Sequence, residues 1–589
     1  MPAPSTEGKR KIRRGHTGCR ACRKRGKKCD EGKPRCRACT RLSLDCGYGV
    51  DFDFRNSSTL SFKKNDASQK TSSQPSLSPS RKEHSIPHIN TNGHLILPTQ
   101  VCSQNDIEAG YLGHFQRHVS QLLPTTSVQF TEKLLQTPLR FAIFCISASN
   151  LSMLNAPVQC RSPPRNNRRC VFSPVVNLLH HTQAQSYHDQ ALWNCRIADT
   201  QDFDFDAPAL LAAHILLAYY HHASTNHLKF RTAVWETVHF VQRHKDKIAH
   251  SVHGPEVLQM WYRLCISHRL SKPPPLLLEG EGDSTFGPNR FPDSFEQLYM
   301  SCILGMSADD LIYDILIKTM EIRSRLVVFR SVASMNHMSE LSSEIGGVAY
   351  EILNNMLGRD DANEERIEAD EGFVRGEHLL GLLEVQQARL QVWVSMLDEN
   401  QRPPLSPAPL TRPTSPSHRH AMNVLYYLLC QMMFEEAQHN STQAPNEASR
   451  IENLAHTILQ TISALDFTTS TTADIYTFSL SEILLQLVLI HRSSTIFHSI
   501  LDIFWPQLEK KARGYEHSHY PTHLAKRTIG LIADYWAQSK TVTFTLPAVA
   551  EDISKLKLLD IYHPVDVVVC GYSMDGRGRV YFIERAGLA

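Results

Sequence analysis

The sequence predicts a mainly α protein: a small cysteine-rich head, a polar linker and a large all-α body. Three observations carry this. Six of the 15 cysteines fall between residues 19 and 46. Residues 50–105 are rich in Ser, Thr, Asn, Lys and Pro, with too few apolar side chains to build a core. From Asp106 onward, apolar residues recur at helical spacing in long segments. At 589 residues the chain has room for several domains, or one large domain with attachments. A hydrophobic content of 42% excludes wholesale disorder and a fibrous repeat.

Charge divides the chain at the same place. Residues 1–50 hold 15 Lys/Arg against four acids, a formal +11, while the remainder carries −8. A basic head on a mildly acidic body points to a polyanion held at one end. The opening MPAPSTEGKRKIRR has no apolar core, so a secretory leader is not expected. The apolar stretches Ala421–Phe434 and Ile475–Ile490 fall short of the roughly 20 residues a membrane span needs. The chain therefore reads as soluble and intracellular, with no membrane partner.

In chain order, residues 1–18 form a basic tail. Its run Lys9-Arg10-Lys11-Ile12-Arg13-Arg14 suits a nuclear localisation signal or an extra phosphate-contacting arm. Residues 19–49 form the cysteine module and 50–105 a disordered linker. The body, 106–545, opens with Asp106 as the expected N-cap of a helix whose apolar face is Ile107, Tyr111, Phe115, Val119 and Leu122, with Pro124 as its stop. The run 207–222 (APALLAAHILLAYYHH) is apolar nearly all round, as a helix inside a core must be. Further helical patterns fall near 228–249, 254–270, 295–330, 374–398, 416–437, 446–465, 474–492 and 521–538. No fixed-period repeat is present, so a solenoid is not expected. The segment 546–589 differs. Around Asp575-Gly576 and Gly578, β-branched and aromatic residues signal a hairpin over Val565–Glu584, read here as a peripheral extension of unknown role.

The cysteine spacing is Cys19-x2-Cys22-x6-Cys29-x6-Cys36-x2-Cys39-x6-Cys46, a duplication of C-x2-C-x6-C. Paired CxxC spacings in a reducing compartment point to metal rather than to disulfides. Six thiolates cannot give two tetrahedral zinc ions four separate ligands each, but they suffice if two sulfurs bridge both metals. The segment has too few apolar residues to fold alone, so metal binding would supply its folding free energy. The two halves differ in charge. The first spacer, Arg23-Lys24-Arg25-Gly26-Lys27-Lys28, carries five cations, whereas the second, Thr40 to Asp45, carries one cation and two leucines. The first half is therefore expected to face DNA and the second to brace it. Two Zn(II) ions with six thiolates leave residues 1–50 at about +9, suited to a binder that releases counterions from duplex DNA. A helix of this size fits the major groove, where Lys or Arg donates to guanine O6 and N7.

The run TGCRACRKRGKKCDEGKPRCRACTRLSLDCGYG, residues 17–49, resembles the fungal Zn2Cys6 binuclear cluster transcription factors. The six-cysteine spacing, the basic first spacer, the Cys29-Asp30 pair and Lys33-Pro34 all match. The resemblance implies two zinc ions bridged by Cys19 and Cys36. One would take Cys19, Cys22, Cys29 and Cys36, and the other Cys36, Cys39, Cys46 and Cys19, with Pro34 turning the chain between the halves. It further implies readout of CGG-type triplets by basic residues three and four positions after the second cysteine, here Arg25 and Gly26. Gly26 has no side chain to donate, which leaves Arg25 as the base reader, with Lys27 or Lys24 substituting, and Arg23 and Lys28 on phosphates. Segments 139–154, 187–192 and 210–220 resemble the fungal-specific transcription factor regulatory domain.

Other features are read as structural. His221-His222-x4-His227 is expected to be a solvated helix end rather than a metal site. Cys160 and Cys170 bracket a basic loop, and Asp360–Glu371 is a solvated acidic loop. Cys145 and Cys430, in apolar runs, act as small buried hydrophobes. No GxSxG, phosphate-binding loop or dinucleotide fingerprint is present, so no enzyme is expected. Residues 47–100 lack a heptad pattern, so two readings stand: binding as a monomer, or a homodimer through the helical body. The expected function is a nuclear, zinc-dependent, sequence-specific DNA-binding regulator of RNA polymerase II promoters, partnered by double-stranded DNA and by transcription machinery or co-regulators. The alternative is a zinc-organised interaction adapter that does not read DNA.

Overall fold

The structure is a computed structural model. It describes residues 21, 22, 25, 29, 30, 32, 35–42, 44 and 46 of the head. Of the rest it describes 104–123, 138–154, 158–161, 171–174, 176–200, 206–224, 227–268, 302, 304–357, 376–403, 417–438, 445–468, 473–511, 522–548, 565–576 and 578–588. The chain divides into two units, Met1–Ile89 and Asn90–Ala589.

In the first unit one short helix, α1 (Arg37–Arg41), is set by Cys36, whose extended backbone and side chain cap it. The second unit is mostly helical. Its first helix, α2 (Gln104–His114), begins before Asp106, which therefore sits in the first turn and not at the cap. There the carboxylate meets the positive end of the helix dipole, so the same residue type serves either place. The expected linker, 50–105, lies outside the described residues except for Gln104 and Asn105, which are helical.

Five helices form the first layer of the body. Helix α3 (Pro138–Leu154) packs on α4 (Leu178–Thr200) and on α5 (Ala207–Ala223), and α5 in turn packs on α6 (His227–Ala249) and α7 (Gly254–His268). Helix α5 is buried on every side, as its apolar sequence requires. Asp206 caps it, accepting from the Ala209 N–H at 3.2 Å, and Pro208 sits in its first turn. Between α3 and α4, strands β1 (Val158–Arg161) and β2 (Val171–Pro174) pair antiparallel, with Cys160 opposite Phe172. The intervening residues up to Cys170 lie outside the described residues, as does the acidic run Asp360–Glu371.

The second layer is organised by α8 (Ala308–Met335), which packs against α9 (Ile345–Leu357), α10 (Gly376–Met396) and α11 (His418–Gln438). It starts later than the 295 its pattern suggested because Ser307 caps it, accepting from Asp310 N–H at 3.2 Å. It ends at Asn336 and His337, the latter in the left-handed region at φ 53°, while Met338 N–H closes onto Ala333 O at 3.0 Å. Helix α8 buries charge as well as apolar surface. Asp314 is ion-paired with Lys318 (3.1 Å) and Arg389 (2.5 Å), and the Glu321–Arg325 pair is buried one turn further on. Neighbouring cations hold the Asp314 carboxyl below its ordinary range despite burial. Helices α12 (Pro445–Ser463), α13 (Leu480–Ile490) and α14 (Thr522–Ala537) complete the helical packing. Ser479 and Glu482 form a capping box at the start of α13, and burial raises Glu482 to about 7.

The C-terminal hairpin forms, but it is not peripheral. Strands β4 (Val565–Asp575) and β5 (Gly578–Leu588) turn at Asp575–Gly578, and β3 (Lys540–Ala548) adds to β4, giving the order β3-β4-β5. Val567, Val568, Val569 and Cys570 are fully buried in the same core as α8. A lone hairpin would be marginal in water. A third strand and a helical face beneath it remove that problem. At Gly571 a Cβ would lie 2.2 Å from Thr541 O, so the close approach of β3 and β4 demands glycine. The buried Arg492 guanidinium ties sheet to helix, donating to Leu489 O (2.7 Å), Ile490 O (3.1 Å) and Val542 O. Among the described residues no helix is long and apolar enough to cross a membrane.

Candidate metal centre

In the head, Ala21 and Cys22 begin a helical turn that carries Arg25, whose N–H donates to Ala21 O at 3.2 Å. The second half repeats this geometry: Thr40 N–H donates to Cys36 O at 2.9 Å. In the second half the x2 spacing between Cys36 and Cys39 spans about one turn, which puts both thiols on one face. The chain then returns the third cysteine to the same point. The result is two sulfur triads, Cys22-Cys29-Cys36 and Cys36-Cys39-Cys46, the sulfurs of each lying within 4.8 Å of one another. Cys36 belongs to both.

The donor set fits zinc. A tetrahedral ion with Zn–S bonds of about 2.3 Å has a sulfur–sulfur edge of about 3.8 Å. Cys22 Sγ and Cys36 Sγ stand 3.7 Å apart. Two main-chain N–H groups already aim at the sulfurs: Cys36 N donates to Cys46 Sγ at 3.3 Å, and Cys39 N to Cys36 Sγ at 3.4 Å. Among the described residues of the head, Cys22, Cys36 and Cys39 are buried, and the apolar side chains packed on them are Ala21, Ala38 and Leu44. That is too little apolar surface to hold a domain together.

Five of the six expected ligands are therefore brought together. Cys19 lies outside the described residues, as do Arg23, Lys24, Lys27 and Lys28. Arg25 is described and exposed, at the end of the first helical turn. A residue the spacing argument did not use is Asp30, whose Oδ2 accepts from Arg37 N–H at 3.1 Å. A carboxylate directly after a ligand cysteine, in the stretch leading to a helix, was its visible signal.

Elsewhere the structure corrects one expectation. His221 and His222 are not solvated but buried, at 7% and 3% exposure, because α5 is covered all round. His221 Nε2 faces His188 Nε2 at 3.0 Å, and burial, reinforced by His188 and Lys229, lowers it to about 3, so it is neutral. The His227 side chain lies outside the described residues. Among the described residues the groups of three or more close potential ligands are the two cysteine triads. Cys145 and Cys430 are fully buried as expected, and burial pushes their thiols up.

No curated protein and no solved structure matches the chain. Residues 17–52 match the family model described as Fungal Zn(2)-Cys(6) binuclear cluster domain, which binds two zinc ions and belongs to a family of zinc-dependent DNA-binding transcription factors.

Proposed function

We propose that this chain is a zinc-dependent transcription factor that reads CGG-type DNA elements at RNA polymerase II promoters. The observation that carries the reading is the sharing of Cys36 by two sulfur triads directly beside a five-cation spacer. Cys19 completes both sets as the second bridge, giving Cys19, Cys22, Cys29 and Cys36 to one ion and Cys36, Cys39, Cys46 and Cys19 to the other. The two zinc ions, when bound, supply the folding free energy of the head.

The remaining work belongs to side chains. Arg25 leaves the first helical turn exposed and donates to guanine O6 and N7, with Lys24 or Lys27 substituting. Arg23 and Lys28 hold phosphates and set the register. Gly26 lets the backbone approach the groove without contributing a donor. The basic tail adds phosphate contacts and nuclear import; the family is a nuclear one. The helical body, 106–545, is the regulatory part, the surface for co-regulators and for a homodimer.

The test uses the purified full chain with zinc. A labelled duplex bearing CGG is titrated at several salt concentrations beside a scrambled duplex. Preference for CGG by tenfold or more, with log Kd rising steeply with log salt, supports the reading. Equal, weak binding to both duplexes refutes it in favour of the zinc-organised adapter.

A further inference from the structure

The two halves of the head repeat one spacing, yet one side chain treats them differently. Asp30 follows the last ligand of the first half, and its Oδ2 accepts from the N–H of Arg37, the first residue of α1 in the second half, at 3.1 Å. Gly32, between them in sequence, lies close to Asp30 and to Arg35 and Cys36. At Gly32 the position of a Cβ lies 3.5 Å from both Asp30 Oδ2 and Arg35 O, and 3.8 Å from Cys36 Cα. On the other side of the same junction, Cys36 caps α1 through its sulfur and sits in both triads. Asp30 therefore holds the residue next to the shared sulfur.

We propose that Asp30 is a positioning residue, fixing the second half of the head on the first and so setting the direction in which the cationic spacer is presented to DNA. The inference rests on the DNA-binding reading above for its second clause only. Arg37 N–H belongs to the first helical turn, whose donors have no acceptor within the helix, and a side-chain acceptor there is a recognised stabiliser of helix starts. Here the acceptor comes from the preceding half rather than from the adjacent residue, so the same bond that caps α1 also sets the angle between the halves.

The test compares Asp30→Ala with Asp30→Asn in the zinc-loaded full chain. Asn keeps a side-chain oxygen for Arg37 N–H, and Ala does not. Two quantities are read: the rate at which a chromogenic chelator removes zinc, and duplex affinity at saturating zinc with two ions per chain confirmed by elemental analysis. Loss of one such cap corresponds to roughly a 2- to 30-fold effect. Asp30→Ala is expected to release zinc faster by that factor and, while fully loaded, to bind the duplex more weakly by a similar factor. Asp30→Asn is expected to stay within about twofold of the parent in release rate. A role limited to metal retention would be repaired by excess zinc, and parental affinity for loaded Asp30→Ala would overturn the proposal. So would zinc release from Asp30→Asn as fast as from Asp30→Ala. If the parent binds no duplex, the DNA reading fails while the release rates still decide whether Asp30 positions the second half.

Discussion

Because Cys36 Sγ lies in both triads, replacing it removes a donor from each metal, whereas replacing Cys22 or Cys46 removes a donor from one. Structural zinc contributes on the order of 10–16 kcal/mol per ion, or about 2.5–4 kcal/mol for each of four thiolates. Cys36→Ala should then weaken summed zinc binding by about 5–8 kcal/mol, and Cys22→Ala by about half that. Among its described residues the head offers little to offset the larger loss: the buried ones are Cys22, Cys36 and Cys39, with Ala21, Ala38 and Leu44 beside them. The assay is competition with chelators of graded affinity on the full chain, with zinc counted by elemental analysis. Circular dichroism of the helical body serves as an internal reference and is expected to melt at an unchanged midpoint in both variants. Equal loss of affinity from Cys36→Ala and Cys22→Ala would refute the shared-ligand geometry, and retention of two tightly held ions by Cys36→Ala would refute the metal centre itself.

Arg25→Ala should leave zinc content unchanged and weaken binding to a CGG duplex by about 1–3 kcal/mol, with little change on a scrambled duplex; an equal loss on both would make Arg25 a phosphate contact instead. In the sheet, Ile583 is 5% exposed within the main core, so Ile583→Ala should cost about 2–5 kcal/mol in denaturant unfolding of the body, whereas a freely detachable hairpin would lose nothing. His221 supplies a pH test. Its folded pKa is lowered from 6.5 to about 3, so its neutral form stabilises the fold above 6.5, and that contribution is lost as pH falls, at about 1.4 kcal/mol per pH unit between those values. Relative to a His221→Gln variant, the parent should therefore lose about 2 kcal/mol of stability between pH 7 and pH 5. A pH-independent difference between the two would place His221 in solvent.

What could be read from the sequence follows from the range over which each force acts. The metal centre was legible because ligation is local: C-x2-C is one helical turn, and the six-residue spacers return a sulfur to the same ion, so two triads follow from counting along the chain. Helix α5 was legible for a similar reason, since a segment apolar on all faces has only one stable environment. The fate of its last turn was not. His221 and His222 look like a polar end, and it takes His188 of α4 and the Phe230 ring of α6, 4.9 Å from His222, to bury them. The same holds for the C-terminal strands: Asp575-Gly576 specifies the turn, but whether Val567 to Cys570 face water or core is decided by β3 and by α8, hundreds of residues away in the case of α8. The charges on α8 make the point most sharply. Asp314 and Lys318 at i and i+4 read as a solvated pair, and it takes a partner such as Arg389 from α10, ion-paired with the same carboxylate, to make their burial tolerable. Asp30 lies between these extremes, seven residues from its partner N–H: the residue is visible in the sequence, and the acceptor contact with the second half is visible only in the structure. In this chain, then, the head can be argued residue by residue from spacing alone, while the body must be argued from partners that only the fold supplies.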